Sequence, residues 1–287
     1  MPELPEVETV RRRLAERLEQ RVIDSIEVFD SLWCKPAEPL AVEEQITGSQ
    51  ILETDRRGKY LIWHLSNSTS LVMHLRMTGT LLYDPDPDTR HARVEFSLSD
   101  GHRLVFSDPR RFGTGLVLKT SDLDAYFSSR LGLEPFDSKF DAAHFHALTR
   151  GRTSPLKSFL LDQKKVAGIG NIYADEALFR AEINPLRWPS ELTRKQSAAL
   201  RDGIIAALAA GIDAGGATID DFRDPDGAWG AYQSEFLVHR RQGKPCPSCS
   251  TEIVRIVVAG RSTYFCPRCQ PKPRRRVRSA SRSPLAS

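Results

Sequence analysis

The chain has 287 residues, of which 27% are charged and 40% are hydrophobic. This length suggests about two domains of roughly 100–200 residues each. The composition excludes a wholly disordered chain because it supplies enough apolar residues for a core. No apolar run approaches the ~18–20 residues that a membrane helix needs, and the start MPELPEVETVRRR lacks the apolar stretch of a signal peptide. We therefore expect a cytoplasmic protein without a membrane partner.

The net charge of +4 is distributed unevenly along the chain. The segment His239–Ser287 carries twelve Lys and Arg residues and one acid, whereas the rest of the chain carries 29 basic and 36 acidic residues. A strongly cationic end predicts a polyanionic partner. Part of the excess lies in Pro271–Ser287, a low-complexity basic segment that we expect to be a disordered tail.

Four of the five cysteines follow the pattern C-x2-C-x16-C-x2-C. This spacing is typical of a four-thiolate zinc site, because two short turns each present two sulfurs and the residues between them can form a hairpin. Two disulfides or a redox pair are the alternatives. A reducing compartment disfavours the first, and the presence of two matched pairs disfavours the second. We expect Cys34 to be an ordinary buried thiol, and the ligands of one structural zinc ion to be Cys246, Cys249, Cys266 and Cys269.

The first half of the chain reads mostly as strands. A helix comes first, because Val7, Val10, Leu14 and Leu18 recur at helical spacing within residues 1–20. Short apolar or alternating runs then follow up to about residue 119, and an Asp-Gly pair between two of them predicts a hairpin. Regularly spaced short strands of this kind predict a β-sandwich or a barrel.

From about residue 140 the pattern becomes helical. One helix is expected to begin near Pro155 and another to cover about 171–181. The capping-box spacing of Thr193 and Gln196 begins a long helix. The Gly-, Asp- and Pro-rich segment 216–232 after it predicts an exposed loop of a length that is often functional.

The N-terminus carries a candidate nucleophile. Removal of Met1 would leave Pro2 as a secondary amine, and because an α-amino group has a pKa near ~8, a useful fraction of it is unprotonated at neutral pH. Such an amine can attack an electrophilic sugar carbon and form an iminium, and Glu3 stands next to it to move protons. From these residues alone, capping of the first helix is the simpler interpretation.

Six motifs in this order closely resemble the bacterial formamidopyrimidine-DNA glycosylase family over about residues 2–270: PELPEVETVRR at the start, RRGKY at 56–60, HLRMTG at 74–79, DPRRFG at 108–113, GIGNIYADE at 168–176 and the four-cysteine finger. The resemblance implies an α+β fold. An N-terminal catalytic β-sandwich domain would cover 1–135, a helical helix-two-turns-helix DNA-binding domain 136–235, a zinc-finger hairpin 236–270 and the basic tail 271–287.

The resemblance also implies an activity. The family excises oxidised purines, 8-oxoguanine and formamidopyrimidines, from damaged double-stranded DNA in base excision repair. It then cleaves the abasic site by β,δ-elimination, so that one enzyme is both a glycosylase and a class I lyase. We expect a monomer that is associated with the nucleoid through its binding to DNA.

The resemblance assigns four catalytic roles. Pro2 is the expected nucleophile that attacks C1′ and forms a Schiff base, and Glu3 the acid/base that protonates the sugar as its ring opens. Lys59 resembles the lysine assigned to β-elimination, although by itself it reads as a surface lysine at a strand end. Arg261 resembles the finger arginine linked to δ-elimination. Because a guanidinium group keeps its proton in proteins, that residue type alone favours a phosphate clamp.

A base inside a duplex must be flipped out before a nucleophile can reach its sugar. Met77, Arg110 and Phe112 resemble the side chains that fill the resulting gap. Apolar side chains can wedge between bases, and an arginine can hydrogen-bond the orphaned partner base. Core positions are the alternative for Met77 and Phe112, but charged neighbours and flanking glycines favour exposed tips.

Other residues are expected to contact the DNA backbone. The glycine turn at 166–171 begins a helix whose free amides favour a phosphate, and Asn171 resembles a phosphate-contacting asparagine; ordinary turn chemistry is the alternative. The family often has Lys-His-x-His where this chain has Arg-His-Ala-Arg at 90–93, which keeps a donor but puts a titration role in doubt. The loop 216–232 corresponds to the segment that covers the flipped base. The remaining expected DNA contacts are His74, His91, Arg152 and Lys157.

Two alternatives stay open at this point. An endonuclease VIII-like enzyme for oxidised pyrimidines shares the N-terminal Pro-Glu pair, the helical element and the finger, but it usually has glycine where this chain has Leu4. A non-catalytic zinc-containing DNA-binding module is the second. The joint presence of Pro2, Glu3 and Lys59 argues against it, because such a module has no use for all three.

Overall fold

The computed structural model describes residues 1–272, so most of the expected basic tail, 273–287, lies outside the described residues. Strands dominate the first half and helices the second, which confirms the α+β class. The first half contains α1 (Leu4–Leu18), β1 (Ile23–Val28), α2 (Pro39–Ile46), β2 (Ile51–Arg57), β3 (Tyr60–Leu65), β4 (Thr69–His74), β5 (Thr80–Tyr83), β6 (Ala92–Leu98), β7 (Arg103–Ser107), β8 (Thr114–Lys119) and α3 (Leu123–Ser128). The second half contains α4 (Ala142–Thr149), α5 (Leu156–Leu161), α6 (Asn171–Arg180), α7 (Arg194–Asp213), β9 (Val254–Val258) and β10 (Arg261–Phe265).

The strands form the predicted β-sandwich. One antiparallel sheet has the order β1-β6-β7-β5 and the other β2-β3-β4-β8. Their inner faces share one core, in which the rings of Trp63 and Phe96, one from each sheet, meet edge to face at 5.1 Å. The predicted hairpin is the β6–β7 turn, where Gly101 has a φ of +86°.

Helix α1 packs against this sandwich with the face that the sequence predicts. Val7, Val10, Leu14 and Leu18 are fully buried in the sandwich core. Glu3 is the N-cap residue of this helix, and its backbone N–H donates to the side chain of Glu6 at 2.7 Å. The first residues of the chain are thereby fixed to a rigid element.

Two short helices, α2 among the predicted strands and α3 after them, were not predicted from the sequence. Helix α2 begins at Pro39, a residue suited to the first turn of a helix because it has no N–H to satisfy, and it buries only Val42 and Ile46. Helix α3 likewise buries only Leu123 and Phe127. Helices this short give too few periodic positions for a hydrophobic repeat to stand out.

The helical half has its own core, built where α6 crosses α7. The approach is close because Gly211 of α7 leaves room for the ring of Tyr173, with which a Cβ at that position would collide. The predicted capping box of Thr193 and Gln196 begins α7. The β9–β10 hairpin follows, and its turn residues Ala259 and Gly260 both have positive φ, as a two-residue hairpin turn requires.

The finger docks on the helical half through Gln270, which is fully buried. Its side chain donates to the carbonyl of Ile183 at 2.9 Å and accepts from the backbone N–H of Cys266 at 3.0 Å. The side chain of Asn184 donates to the Gln270 carbonyl at 2.8 Å. Among residues 1–272 there is no helix whose length and apolar character would let it cross a membrane.

Candidate active site and zinc centre

The carboxylate of Glu3 lies at the N-terminus of α6. Its Oε1 accepts from the backbone N–H of Ile172 at 3.1 Å, and its Oε2 is buried without a hydrogen-bond partner. Gly170 makes room for it, since a Cβ there would collide with the Glu3 carboxyl group. The glycine turn that was expected to face a phosphate therefore gives one of its helix amides to the protein's own carboxylate, which the positive end of the helix stabilises.

The same turn fixes the residues on either side of Glu3. The N–H of Leu4 donates to the carbonyl of Gly168 at 3.0 Å. Gly168 has a φ of +86°, and a Cβ there would lie 2.5 Å from a methyl group of Leu4. Pro2 is buried and Met1 is half exposed. Loss of Met1 would therefore leave the Pro2 amine at the start of a segment whose backbone is fixed by hydrogen bonds.

Glu6 is a buried residue of the site that the sequence analysis did not single out. Its Oε2 accepts from the N–H of Glu3 at 2.7 Å, and its Oε1 accepts from the hydroxyl of Tyr173 at 2.7 Å and from the N–H of Ala217 at 2.8 Å. Burial, together with the charge of Glu3, raises the pKa of Glu6. The Glu-x-x-Glu spacing at the helix start was the available signal. Glu6 links the N-terminus of the chain to the beginning of the 216–232 loop.

Lys59 is the second residue of the turn between β2 and β3, and it is only 5% exposed. Burial lowers its pKa and the positive charge of Arg261 adds to this, while the carboxylates of Glu3 and Glu6 act in the opposite direction. The structure thus brings Lys59, Glu3 and Arg261 into one electrostatic neighbourhood. The alternative of a surface lysine is wrong.

An ion network holds the turn that presents Lys59. The N–H of Gly58 donates to Glu134 Oε2 at 2.9 Å, and the Arg56 guanidinium donates to the Gly58 carbonyl at 3.0 Å. Arg56 also pairs with Glu8 of α1 at 3.1 Å. The carboxylates of Glu8 and Glu134 are mostly buried, so Lys59 lies on a rigid turn.

Met77, Arg110 and Phe112 lie at exposed tips, as the sequence analysis favoured. Met77 is 39% and Phe112 49% exposed, and the Arg110 guanidinium lies 4.8 Å from the centre of the Phe112 ring.

Asp108, which was not predicted as a site residue, fixes the backbone of these turns. Its fully buried carboxylate accepts from the N–H groups of Phe112 at 2.8 Å and Gly113 at 2.7 Å, and from the hydroxyl of Thr78 beside Met77. An Asp that begins such a turn commonly binds the backbone that follows it.

The two expected DNA-binding histidines differ in their surroundings. His91 is exposed with a φ of +62°, and its carbonyl accepts from the N–H of Asp108 at 3.0 Å, so it lies beside the turn that carries Arg110 and Phe112. His74 is nearly buried against Tyr60, and its Nδ1 accepts from the N–H of Arg76 at 2.9 Å. Burial and the charges of Arg76 and Lys59 lower the pKa of His74 to about 3. The ring is therefore neutral, with its proton on Nε2.

The structure corrects the assignment of Lys157. Its side chain is fully buried, where the ammonium pairs with Asp175 at 2.7 Å and donates to the carbonyl of Ser262 at 2.8 Å. Lys157 therefore has no surface to offer to DNA and instead holds the finger next to Arg261. Asn171 donates to the same Ser262 carbonyl at 3.0 Å. Arg152 is exposed between α4 and α5, and its contact with DNA stays a prediction.

The four predicted zinc ligands converge. The sulfurs of Cys246, Cys249, Cys266 and Cys269 all lie within 4.8 Å of one another, and two of the distances are 3.5 and 3.9 Å. Zn–S bonds of ≈ 2.3 Å in a tetrahedron require sulfurs about 3.8 Å apart. The donor set therefore fits one structural zinc ion, and four thiolates leave no position for a reacting water. Cys34 is a buried thiol, as expected.

The loop 216–232 is less exposed than its composition suggested. Trp229 is 64% exposed, but Phe222 is buried in the core of the sandwich. Asp224 and Gly227 form a tight local turn, in which the N–H of Gly227 donates to the Asp224 carbonyl at 2.9 Å. In the same turn, Asp224 Oδ1 accepts from the N–H of Ala228 at 2.8 Å.

Family models match three parts of the chain. Residues 1–115 match the formamidopyrimidine-DNA glycosylase N-terminal domain, 131–223 the H2TH domain of the same enzymes, and 243–272 a zinc finger found in FPG and IleRS. A formamidopyrimidine-DNA glycosylase of Pelotomaculum thermopropionicum is 44% identical over 94% of this chain and 99% of its own. One of Streptococcus pneumoniae is 43% identical with the same coverage.

Solved structures of the Lactococcus lactis enzyme share the fold. A point mutant of that enzyme in complex with Fapy-dG-containing DNA is 36% identical, with a TM-score of 0.89 over 94% of this chain and 100% of that one. A complex with abasic-site DNA gives a TM-score of 0.88 at the same identity and coverage, as does one with DNA that contains an oxidised pyrimidine. The chain described here belongs to the formamidopyrimidine-DNA glycosylase family and is a zinc-containing DNA repair enzyme.

Proposed function

We propose that this enzyme excises 8-oxoguanine and formamidopyrimidines from duplex DNA and then cuts the abasic site by β,δ-elimination through a Schiff base at Pro2. One observation carries the proposal. The carboxylate of Glu3, the residue next to Pro2, lies at the N-terminus of α6, and the buried amine of Lys59 lies close enough to interact with its charge. A binding module has no need to bury an acid and an amine around its own N-terminus.

Base release needs a nucleophile and a proton source. With Met1 removed, the Pro2 nitrogen attacks C1′, the bond from C1′ to the base breaks, and the base leaves with its electron pair and takes up a proton. The ring oxygen must be protonated as the sugar opens, and Glu3 Oε2, which has no protein partner, can take the proton that the Pro2 nitrogen loses on attack and pass it to this oxygen. The product is an iminium between Pro2 and C1′.

Strand cleavage follows from the acidity that the iminium gives to C2′. Lys59 suits the removal of the C2′ proton, because burial lowers its pKa and increases the fraction of neutral amine. Expulsion of the 3′ phosphate completes β-elimination, and loss of the C4′ proton with expulsion of the 5′ phosphate completes δ-elimination. Arg261 can bind the departing phosphate, at a hairpin tip held by two hydrogen bonds to the Ser262 carbonyl.

Damaged double-stranded DNA is the proposed partner. Met77, Arg110 and Phe112 would fill the gap left by the flipped nucleotide, and His74, His91, Arg152 and Asn171 would contact the backbone. The zinc ion would hold the hairpin that carries Arg261 and supply no chemistry of its own. We also propose that the enzyme acts as a monomer at the nucleoid, with the domain division at residues 135, 235 and 270.

The test uses duplexes with 8-oxoguanine or a formamidopyrimidine opposite cytosine, an oxidised pyrimidine, or no damage. The proposal predicts release of the oxidised purines and a one-nucleotide gap with phosphate at both ends. A strand that ends in an unsaturated aldehyde would limit the lyase to β-elimination. Preference for the oxidised pyrimidine would assign the pyrimidine-specific activity instead, and binding without base release would leave a non-catalytic module.

A further inference from the structure

Two arginines of α1 fasten the 216–232 loop to the N-terminal sandwich. Arg13 Nε lies 2.9 Å from Asp224 Oδ2, and Arg17 Nη1 lies 2.6 Å from Asp226 Oδ1. Arg13 also reaches Asp226 at 3.3 Å. Four residues apart on one helix, the two arginines present their side chains to the same side. We call these four residues the α1–loop clamp.

Tyr83, on the sandwich, also contacts the residues of the clamp and those between them. The N–H of Tyr83 donates to the carbonyl of Pro225 at 2.9 Å, between the two clamp aspartates. The Arg17 guanidinium also lies 4.9 Å from the centre of the Tyr83 ring. The Asp224 carboxylate is only 5% exposed. A backbone hydrogen bond, a cation–π contact and ion pairs thus connect this loop of the helical half to the N-terminal half of the molecule.

The other end of the loop begins at the catalytic N-terminus. The N–H of Ala217 donates to Glu6, and Glu6 accepts from the N–H of Glu3. Between this anchor and the clamp lies a short stretch, 219–223, in which Asp220 and Asp221 are exposed. The stretch therefore lies between two anchored points, and Phe222 within it is buried in the sandwich core.

We propose that Arg13 and Arg17 are positioning residues that hold this loop against a flipped damaged base, and that they affect base release without affecting cleavage of an abasic site. The inference rests on the proposed function. An abasic sugar offers no base for the loop to cover, so its chemistry at Pro2 and Lys59 should not depend on the clamp. Ion pairs that are partly exposed are individually weak and screened by salt, which suits a contact that must release its product.

The experiment is a charge swap in the full-length enzyme. Arg17→Glu and Asp226→Arg are each expected to lower kcat/KM for release of an oxidised purine by about tenfold, and the double variant R17E/D226R to restore it to within about threefold. Incision of a preformed abasic site should stay within twofold throughout. The matched control is the swap of Arg21 and Asp100, a surface ion pair of the sandwich that does not touch the loop.

Hydrogen exchange of the loop amides in the free protein gives a second measurement that does not need activity. Exchange over 217–230 should accelerate in R17E and return to the wild-type rate in the double variant. Unchanged exchange and unchanged base release in R17E would overturn the inference, as would an equal loss in abasic-site incision or a double variant no better than the single ones. A wild-type enzyme that releases no oxidised base would refute the proposed function instead. The exchange data would still show whether the clamp holds the loop.

Discussion

Glu3 Oε1 lies 3.1 Å from the backbone nitrogen of Ile172, so the catalytic candidate at the start of the first helix is bound by the first turn of α6. This hydrogen bond joins two segments that are far apart in sequence, and it fixes one carboxylate oxygen while the other remains buried without a partner. The arrangement orients the carboxylate that we propose as the proton carrier.

Replacement of Glu3 by Gln is expected to separate the two activities. The amide keeps an oxygen for the Ile172 N–H but cannot deliver a carboxyl proton to the opening sugar. Because a positioned acid contributes typically 10²–10⁴-fold, we expect base release to fall by at least about 100-fold. Incision of a preformed abasic site, whose aldehyde is already open to Pro2, should fall much less. Equal losses in single-turnover assays of the two substrates would contradict the assigned role.

Lys59→Arg tests whether a neutral amine is needed. Arginine keeps the positive charge but does not lose its proton in proteins, so strand cleavage should fall by about 100-fold or more while base release is reduced less. In the wild type, the lowered pKa of Lys59 predicts that cleavage rises with pH below the ordinary lysine range. A variant that cleaves at the wild-type rate would reduce Lys59 to an electrostatic role.

Asp108→Asn is expected to weaken the fixed positions of Met77, Arg110 and Phe112, the side chains proposed to fill the gap in the DNA. Asparagine would turn an N–H₂ group toward the backbone amides of Phe112 or Gly113, where the carboxylate now accepts two hydrogen bonds. Loss of hydrogen bonds to a buried charged group costs about 1.5–3 kcal/mol each, which corresponds to at least about tenfold in the rate of base flipping. A fluorescent base analogue beside the lesion would report the flipping step.

Asp30→Asn is the matched control for this prediction. Asp30 Oδ2 lies 2.6 Å from Nε of Arg111, the residue before Phe112, but Asp30 accepts none of the hydrogen bonds that Asp108 accepts. It should therefore leave flipping within about twofold. Equal behaviour of the two variants would contradict a special role for Asp108.

His74 predicts a pH dependence of stability. Burial, with the charges of Arg76 and Lys59, lowers its pKa from 6.5 to about 3. The unfolded chain therefore binds a proton at a higher pH than the folded one, and stability is lost as pH falls below 6.5. Between pH 6.5 and 5 this amounts to about 2 kcal/mol.

His74→Asn supplies the control for that pH dependence, because it keeps an acceptor near Nδ1 and does not titrate. The free energy of unfolding, measured by urea denaturation at pH 7.5 and pH 5, should differ between wild type and variant by about 2 kcal/mol more at the higher pH. A difference that is independent of pH would mean that His74 is protonated equally in both states.

The sequence predicts well what depends on local pattern. The face of α1, the α7 capping box and the four-cysteine site all follow from short-range spacing, and all three agree with the structure. Lys157 was misassigned because a lysine followed by Ser-Phe near a helix start gives no sign of burial. Only the fold brings Asp175 and the Ser262 carbonyl around its ammonium group.

The connecting residues of the site escaped prediction for the same physical reason. The carboxylate of Glu6 meets Ala217 across 211 positions of sequence, and that of Asp108 binds Thr78 from a different turn. Each looks like an ordinary cap or turn residue when only its neighbours are visible. Their roles arise from packing between elements, which no local spacing encodes.

The central claim is that the secondary amine of Pro2 forms the covalent link to DNA. The most direct measurement is borohydride trapping on a duplex with 8-oxoguanine opposite cytosine, followed by peptide mapping of the cross-linked residue in protein shown to lack Met1. We expect one stable adduct, at Pro2, and its loss when an extra residue precedes Pro2. An adduct at Lys59 or another lysine, or base release without any trapped species, would contradict it.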